Sequence, residues 1–374
     1  MPPFTDKIDH LLSLSPYGQA PEIKHRVLLE LLKDELAYGC ERHAGYRNYV
    51  EHWPVAYRSA ERVSDLPYLP VGILKSNPPL SFVGAEEVRR TLTSSATTSQ
   101  SPSRVVLDGE TSRRMTKGTV VILRDFIGST RRPYLVVDTP HQTARRSDLG
   151  ARGAAIQGLQ PFATETNYCL RTDDSGELAL NLDELARVAD KYRDTDLLIY
   201  GFTYMLWSCL VKPLLARDLC LDLEKVIILH SGGWKRLQDQ AVQKDVFNER
   251  LARVIGCSQS CIVDFYGMIE SVGVIFPDCS YGNKHAPAYG DVVVRDPLTL
   301  EPVAEGDDGI VQVCSVLPTS FPGNLLLTED MARVVAYDGC GCGRRGISFR
   351  FAGRIPKAEI RGCGNIESKR VMVN

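Results

Sequence analysis

Short aliphatic and β-branched runs alternate with longer amphipathic stretches through the middle of this chain, and two of the runs lead straight into glycine. Residues 119–123 (Thr-Val-Val-Ile-Leu) and 134–138 (Tyr-Leu-Val-Val-Asp) predict buried strands closed by turn signals. Residues 181–194 and 197–215 carry helical patterns, and residues 226–229 (Val-Ile-Ile-Leu) predict a strand that enters the pair Gly232-Gly233. An amphipathic stretch at 248–254 follows, then a strand at 261–265 that opens into Tyr266-Gly267-Met268. Such alternation is the pattern of an α/β fold, and in such folds ligands gather at the carboxyl ends of strands.

The flanking segments differ in texture. Residues 1–66 predict a helical cap, with charged and apolar positions interleaved at helical spacing over 23–36. A proline-marked connector, Leu66-Pro67-Tyr68-Leu69-Pro70-Val71, leads to a polar run at 91–103. Beyond 290, short runs at 309–316 and 331–337 between Gly and Asp turns predict a β-rich subdomain. A chain of 374 residues exceeds what one compact core serves, so two domains, or one large multi-sheet domain with an appendage, are expected. The expected division is a main domain at 1–350, with 1–66 as the cap and 290–350 as the β-rich part, and a tail at 351–374.

A net charge of -2 gives no global attraction to nucleic acid or anionic membrane, so an anionic ligand must be held locally. The most apolar segment, 197–215, is interrupted by Gly201, Thr203, Ser208, Lys212 and Pro213, which excludes a spanning helix. No N-terminal stretch reads as a secretory signal, which predicts a cytoplasmic protein. In that reducing setting eleven cysteines point to metal ligation or catalysis before disulfides.

Four separated segments and one cysteine carry the chemistry. Residues 93–103 are almost entirely Ser, Thr, Ala and Pro, a composition that suits either a linker or a turn whose hydroxyl and N–H groups cradle polyphosphate. The run lacks the Gly-Lys-Ser/Thr of a Walker loop. His230-Ser231-Gly232-Gly233-Trp234-Lys235 and Tyr266-Gly267-Met268-Ile269-Glu270 each follow a strand and offer an aromatic face for a base, and Glu270 adds a hard oxygen for Mg²⁺. Thr328-Glu329-Asp330, followed by Gly353-Arg354, brings an acid suited to ribose hydroxyls and an arginine suited to phosphate. Cys363 lies between two glycines, with Arg354, Lys357, Arg361, Lys369 and Arg370 around it in sequence to favour its thiolate.

This order of segments resembles the adenylate-forming enzymes, and within them the acyl-protein synthetases of bacterial bioluminescence operons, the LuxE type. The likeness spans nearly the whole chain, from the connector with Lys75 through Tyr200-Gly201-Phe202 to Glu359-Ile360-Arg361-Gly362-Cys363-Gly364. It implies an α/β fold: a large adenylate-forming domain of stacked β-sheets flanked by helices, a β-rich subdomain, and a truncated version of the superfamily's mobile C-terminal domain. The implied reaction is ATP-dependent activation of a fatty or aryl carboxylic acid to an acyl adenylate, then transfer to the enzyme's own Cys363 and onward to a partner enzyme or small nucleophile. ATP and Mg²⁺ are the implied cofactors. By the same likeness Ser94, Ser95, Thr97, Thr98 and Ser99 meet the β and γ phosphates. Gly232, Gly233 and Trp234 shape the adenine slot, Tyr266 stacks on the base, Gly267 and Met268 belong to the same ATP site, Glu270 holds Mg²⁺, Asp330 meets the ribose and Arg354 lies near the phosphate or ribose. Tyr200, Gly201, Phe202 and His230 line the acyl pocket. The chain departs from the superfamily at Ala96 and Ser99, where glycines stand, and at Ile269, where threonine is common. The C-terminal domain's catalytic lysine has no counterpart, leaving Lys235, Lys357 and Arg354 as alternative sources of charge. An internal thiol acceptor fits a chain without that domain.

A second constellation reads as a metal site. Cys279, His285, Cys340 and Cys342 supply three sulfurs and one imidazole, a complete tetrahedral set for structural Zn²⁺, and phenylacetate-type ligases show a similar arrangement. Cys257 and Cys261 compete for that role, but a spacing of four also suits one helix face and core packing. His10, His25, His43, His52 and His141 are scattered without partner motifs. Two further functions stay open: a free-standing ligase that hands the adenylate directly to coenzyme A, an amine or a hydroxyl, and a non-catalytic nucleotide-binding scaffold.

Overall fold

The computed structural model describes residues 2–94, 102–143, 148–173, 176–234 and 241–355. A parallel sheet forms its centre, in the spatial order Ile262–Tyr266, Val226–Ser231, Leu197–Phe202, Arg132–Val136 and Ala163–Tyr168. The short strand Phe276–Pro277 adds to the Ile262–Tyr266 edge in antiparallel fashion. Chain order reverses between Arg132–Val136 and Leu197–Phe202: one connection leads outward to Ala163–Tyr168, and the next crosses back to the other side. A crevice at the carboxyl ends of strands marks such a reversal.

Two expected elements are corrected. Residues 119–123 lie inside the helix Gly109–Ile127. The Asp108 carboxylate caps its first turn by accepting from the Thr111 N–H at 2.7 Å, and Gly128 at φ +75 ends it. Thr111, Arg114, Gly118 and Ile122 are buried at three- and four-residue intervals, so helical burial overrides the β preference of Thr119, Val120, Val121 and Ile122. The apolar segment 197–215 is the opposite case. Its first part is the strand Leu197–Phe202, buried along its whole length between two parallel neighbours, and only 203–215 is helical. A strand buried on both faces shows no alternation, so its sequence reads like that of a buried helix.

The second large sheet is antiparallel and runs Lys284–His285, Ser348–Arg354, Leu325–Ala336, Asp308–Ser315, Gly290–Arg295, with Leu69–Pro70 joining Leu325–Ala336 in parallel. The N-terminal helices Thr5–Leu11 and Pro21–Arg42 pack on it: Phe4, Ile8, Leu28, Leu31 and Leu32 share one core with Val292, Val311, Val313 and Phe349. A third sheet sets the hairpin Arg90–Thr93 and Arg104–Leu107 beside Asp148–Gly150. Its Leu92, Val105 and Leu107 join Val272, Phe321 and Leu326 in a small core that wedges the hairpin against the antiparallel sheet. Cys257 and Cys261 fall outside regular α-helix, after the Gly256 stop of Lys244–Ile255, and lie against the core of the parallel sheet.

Candidate functional site

Where the parallel sheet ends against the antiparallel one, four of the expected residues converge. Tyr266 closes the strand Ile262–Tyr266, and its hydroxyl donates to Asp330 Oδ2 at 2.8 Å. Asp330 and Arg354 face each other across adjacent antiparallel strands, with Arg354 Nε 3.3 Å from Asp330 Oδ1. Gly353, at φ +109, takes a conformation that L side chains rarely adopt, one residue before that arginine. The Tyr266 ring lies nearly parallel to Phe351 and Phe276, at 5.2 and 5.8 Å between centroids. Tyr266 is therefore held between the two sheets, and its polar end is committed to Asp330.

Glu270 lies four residues on, 6% exposed. Burial holds its carboxyl above the usual range; the Ser103 hydroxyl and the residue's own backbone oppose that rise, Asp330 adds to it and Lys75 lowers it. Burial likewise raises the Asp330 carboxyl, against the pull of Tyr266 and Arg354. Asp330 is further raised by Glu329 as Glu270 is by Asp330, and carboxyls so gathered and buried form a place where an added cation is favoured. Ser103 also ties this pair to the hydroxyl-rich hairpin: its N–H donates to Ser94 Oγ at 2.8 Å, and Ser94 N–H to the Ser103 carbonyl at 2.9 Å. Lys75 makes an ion pair with Glu329 at 3.5 Å, at the rim of the same cluster.

The other strand exit is aromatic. Gly232 has φ +76, and a Cβ there would stand 2.6 Å from the Phe202 ring, so only glycine lets the exit pass so close. Trp234 packs edge-on to Trp207 at 6.0 Å and to Phe247 at 6.2 Å. The residues expected to line an acyl pocket divide between the two faces of the sheet. Register pairs Tyr200 with Leu229, Gly201 with His230, and Phe202 with Ser231, so Tyr200 and Phe202 point to one face and His230 to the other. Tyr200 is buried beside Phe265, its hydroxyl 3.0 Å from Ser231 Oγ. His230 is 3% exposed, and burial lowers its pKa against the pull of Asp264; Nδ1 lies 2.9 Å from Thr203 Oγ1. Around it sits a charge network absent from the sequence reading. Lys284, 2% exposed, meets Asp278 at 3.0 Å and Asp264 at 3.4 Å, and these acids outweigh burial to raise its pKa. Aspartates spaced along a strand and loop carry no motif, which is why only the fold reveals them. A groove of about 740 Å³ between the hairpin 170–180 and the helix 203–215 lies apart from Glu270 and Asp330, lined by Leu180, Ser208, Cys209 and Lys212.

Cys279, His285, Cys340 and Cys342 do come together, with one donor atom from each lying within 4.8 Å of all the others. Cys279 Sγ is 4.0 Å from Cys340 Sγ, and His285 Nε2 is 3.3 Å from Cys342 Sγ. A tight turn presents Cys279: Gly282 N–H donates to its carbonyl and Cys279 N–H to the Asn283 carbonyl, both at 2.8 Å. Asn283 Nδ2 approaches Cys340 Sγ at 3.5 Å, while Arg350 Nε donates to Asn283 Oδ1 at 2.8 Å. Three thiols and one imidazole so oriented, with polar groups behind them, fit a tetrahedral metal.

Ser95, Thr97, Thr98, Ser99, Lys235, Lys357 and Cys363 lie outside the described residues. Ser103 and Lys75 join the cluster although the sequence reading gave them no role; both sit within segments already singled out. Among the described residues no helix is long and apolar enough to cross a membrane.

Comparison with known proteins bears on this geometry. The family described as acyl-protein synthetase, LuxE, matches residues 4–372. The long-chain-fatty-acid–luciferin-component ligase of Vibrio harveyi is 24% identical over 365 residues, which cover 96% of this chain and 92% of that protein. Its counterpart in Aliivibrio fischeri is 21% identical over 334 residues, 88% of this chain and 85% of that one. Among solved structures, an open conformation of 2-hydroxyisobutyryl-CoA ligase with 2-HIB-AMP and CoA shares the fold at a TM-score of 0.66 and 16% identity, over 94% of this chain and 82% of that one. The expected α/β fold of adenylate-forming ligases is thus the fold of this protein, and the chain belongs to the LuxE acyl-protein synthetase family.

Proposed function

We propose that this protein activates a carboxylic acid with ATP and passes the acyl group to the thiol of Cys363. The chain is an ATP-dependent acid ligase by family. The observation that carries the finer reading is the convergence of Glu270, Asp330 and Arg354 beside the Ser94–Ser103 base of the hydroxyl-rich hairpin. In the first step a carboxylate oxygen of the acid attacks the α-phosphorus, the bond to the β-phosphate oxygen breaks, and pyrophosphate leaves. Asp330, already oriented by Tyr266 and Arg354, accepts from the ribose hydroxyls, and the arginine faces the phosphate. Glu270 would hold Mg²⁺ through its carboxylate oxygens, and the ion would supply positive charge for the phosphates. Ser94, Ser95, Thr97, Thr98 and Ser99 donate to the β and γ phosphates. In the second step the Cys363 thiolate attacks the acyl carbon, the bond to AMP oxygen breaks, and AMP leaves; Lys357 supplies positive charge nearby in sequence. The thioester then reacts with a partner enzyme's nucleophile or a small acceptor. Cys279, His285, Cys340 and Cys342 hold a structural Zn²⁺ remote from this chemistry.

Acid-dependent exchange of pyrophosphate into ATP tests the first step, and its absence with every acid of a broad panel would leave a nucleotide-binding scaffold. Radiolabelled acid tests the second: the label should stay on denatured protein, require ATP, be released by neutral hydroxylamine, and vanish in Cys363→Ala. Undiminished product formation in Cys363→Ala would assign the acceptor to a free molecule such as coenzyme A.

A further inference from the structure

The crevice where the strand order reverses carries a charged pair that the proposed reaction does not use. Asp138 follows the strand Arg132–Val136 at its carboxyl end and is 2% exposed. Arg152, at the start of the helix Ala151–Gly158, forks onto it, with Nε donating to Oδ2 at 2.8 Å and Nη2 to Oδ1. Thr139 N–H donates to the same carboxylate at 2.7 Å, so Asp138 is fixed in place. Val136 pairs with Tyr200 at the end of its strand, and Val137 N–H donates to the Tyr200 carbonyl at 2.8 Å, which brings Asp138 beside the strand Leu197–Phe202. The charges reach nearby rings: Tyr200 and Tyr204 both sense Asp138 and Arg152. Tyr200, Phe202 and Tyr204 follow one another at 6.2 Å between centroids, and Phe202 continues the series to Gly232. A line of aromatic rings thus runs from the glycine exit, beside the nucleotide cluster, to a charged pair at its far end.

Two of the five guanidinium N–H donors are engaged by Asp138, and the Arg152 side chain keeps 24% of its surface exposed. A bare alkyl chain laid against this pair would strip water from the remaining donors and return nothing. A hydroxyl would satisfy them by accepting from Arg152, which the buried Asp138 holds in position. We infer that Arg152 is a specificity-determining residue, positioned by Asp138, that reads a hydroxyl substituent on the non-reacting end of the acid, which makes the substrate a hydroxylated acid and not an unsubstituted long-chain one. This rests on the adenylation reading for the identity of the site, and its test is kept separate from that chemistry.

Binding is measured first, without ATP, by calorimetry on the whole zinc-replete chain, comparing para-hydroxybenzoate with benzoate, β-hydroxybutyrate with butyrate, and myristate with all four. The hydroxylated member of at least one pair is expected to bind about tenfold tighter or more than its parent, and tighter than myristate. Asp138→Asn, which keeps the shape of the side chain, and Arg152→Gln should abolish that gap while leaving the parent acid's affinity in place; Arg152→Lys should restore part of it. With ATP, the same variants should raise KM for the substituted acid and leave kcat near that of the wild type. Tightest binding of myristate, a gap that survives both variants, or no binding by any of these acids overturns the inference. If the substituted acid binds as expected yet supports no pyrophosphate exchange, the inference stands and the adenylation reading falls.

Discussion

Asp330 draws its hydrogen bonds from two different strands, and each can be removed separately. Tyr266→Phe keeps the ring between Phe276 and Phe351 but deletes the donor 2.8 Å from Oδ2, leaving Arg354 as the partner that orients the carboxylate. A hydrogen bond to a charged group is worth roughly 1.5–3 kcal/mol, so ATP affinity should fall by about tenfold or more with the thermal midpoint little changed. Nucleotide titration that finds Tyr266→Phe equal to wild type would show that Asp330 needs no such orientation. Glu35 makes a contrasting case away from the site. It is fully enclosed, and burial raises its carboxyl well above the usual range, with Arg114 and the Asn324 amide, 2.6 Å from Oε2, opposing the rise. A carboxyl whose folded-state pKa exceeds its unfolded value adds stability that is complete below about pH 4.3 and is lost as pH climbs through the folded value. Glu35→Gln removes that dependence, so the variant's thermal midpoint should gain on the wild type as pH rises from acid toward neutral. Parallel midpoints from pH 4 to pH 8 would mean that Glu35 does not titrate with folding.

At the scale of elements, the exit of Val226–Ser231 depends on a backbone that glycine alone tolerates. Gly232→Ala combines φ +76 with a Cβ 2.6 Å from the Phe202 ring, so strain and overpacking add. A cost of about 1–3 kcal/mol is expected, with a thermal midpoint several degrees lower, and a companion Phe202→Leu should recover part of it. Failure of the companion change to recover any stability would locate the cost in the backbone conformation alone. This glycine was legible from sequence because a pair of glycines after a short apolar run has few other uses. The strands Val226–Ser231 and Ile262–Tyr266 were legible for the same reason, since each is brief and ends on a turn signal. Two elements were not. The run Thr-Val-Val-Ile at 119–122 looks like strand in isolation, and its helical state is set upstream by the Asp108 cap and by which side packs on the core. The strand Leu197–Phe202 continues without a break into apolar helix, and nothing local marks the change at Thr203. In the site, Glu270, Asp330 and Arg354 stood out because each sits in a compact motif. Asp138 and Arg152 did not, because an aspartate after a strand and an arginine early in a helix become a pair only through the crossover between them.

Across the whole molecule, the cysteine and histidine cluster lies where three parts of the chain meet, which decides what removing a bound metal would do. Cys279 and His285 lead into the antiparallel sheet, while Cys340 and Cys342 sit on the connection between its strands Leu325–Ala336 and Ser348–Arg354. The N-terminal segment closes over them: the Tyr17 ring meets His285 edge-on at 6.1 Å, Tyr17 carbonyl accepts from Arg345 N–H at 3.1 Å, and Lys24 Nζ donates to the Ala286 carbonyl at 3.0 Å. Arg344, two residues beyond Cys342, pairs with Asp125 of Gly109–Ile127 at 2.6 Å. Three thiols and one imidazole gathered within reach of one another make a donor set for Zn²⁺, so its binding free energy would be available to the fold. Purified protein should therefore carry about one equivalent of zinc, and Cys279→Ser or Cys340→Ser should lose it. Chelation should lower the thermal midpoint and speed hydrogen exchange first at 279–285 and around Tyr17, before the parallel sheet, whose core is separate, is affected. Because Glu270 and Asp330 belong to another corner, binding of ATP should weaken far less than stability does. Protein free of zinc as purified, or chelation that leaves both the midpoint and exchange at 279–285 unchanged, would reduce the four residues to a packed cluster of thiols.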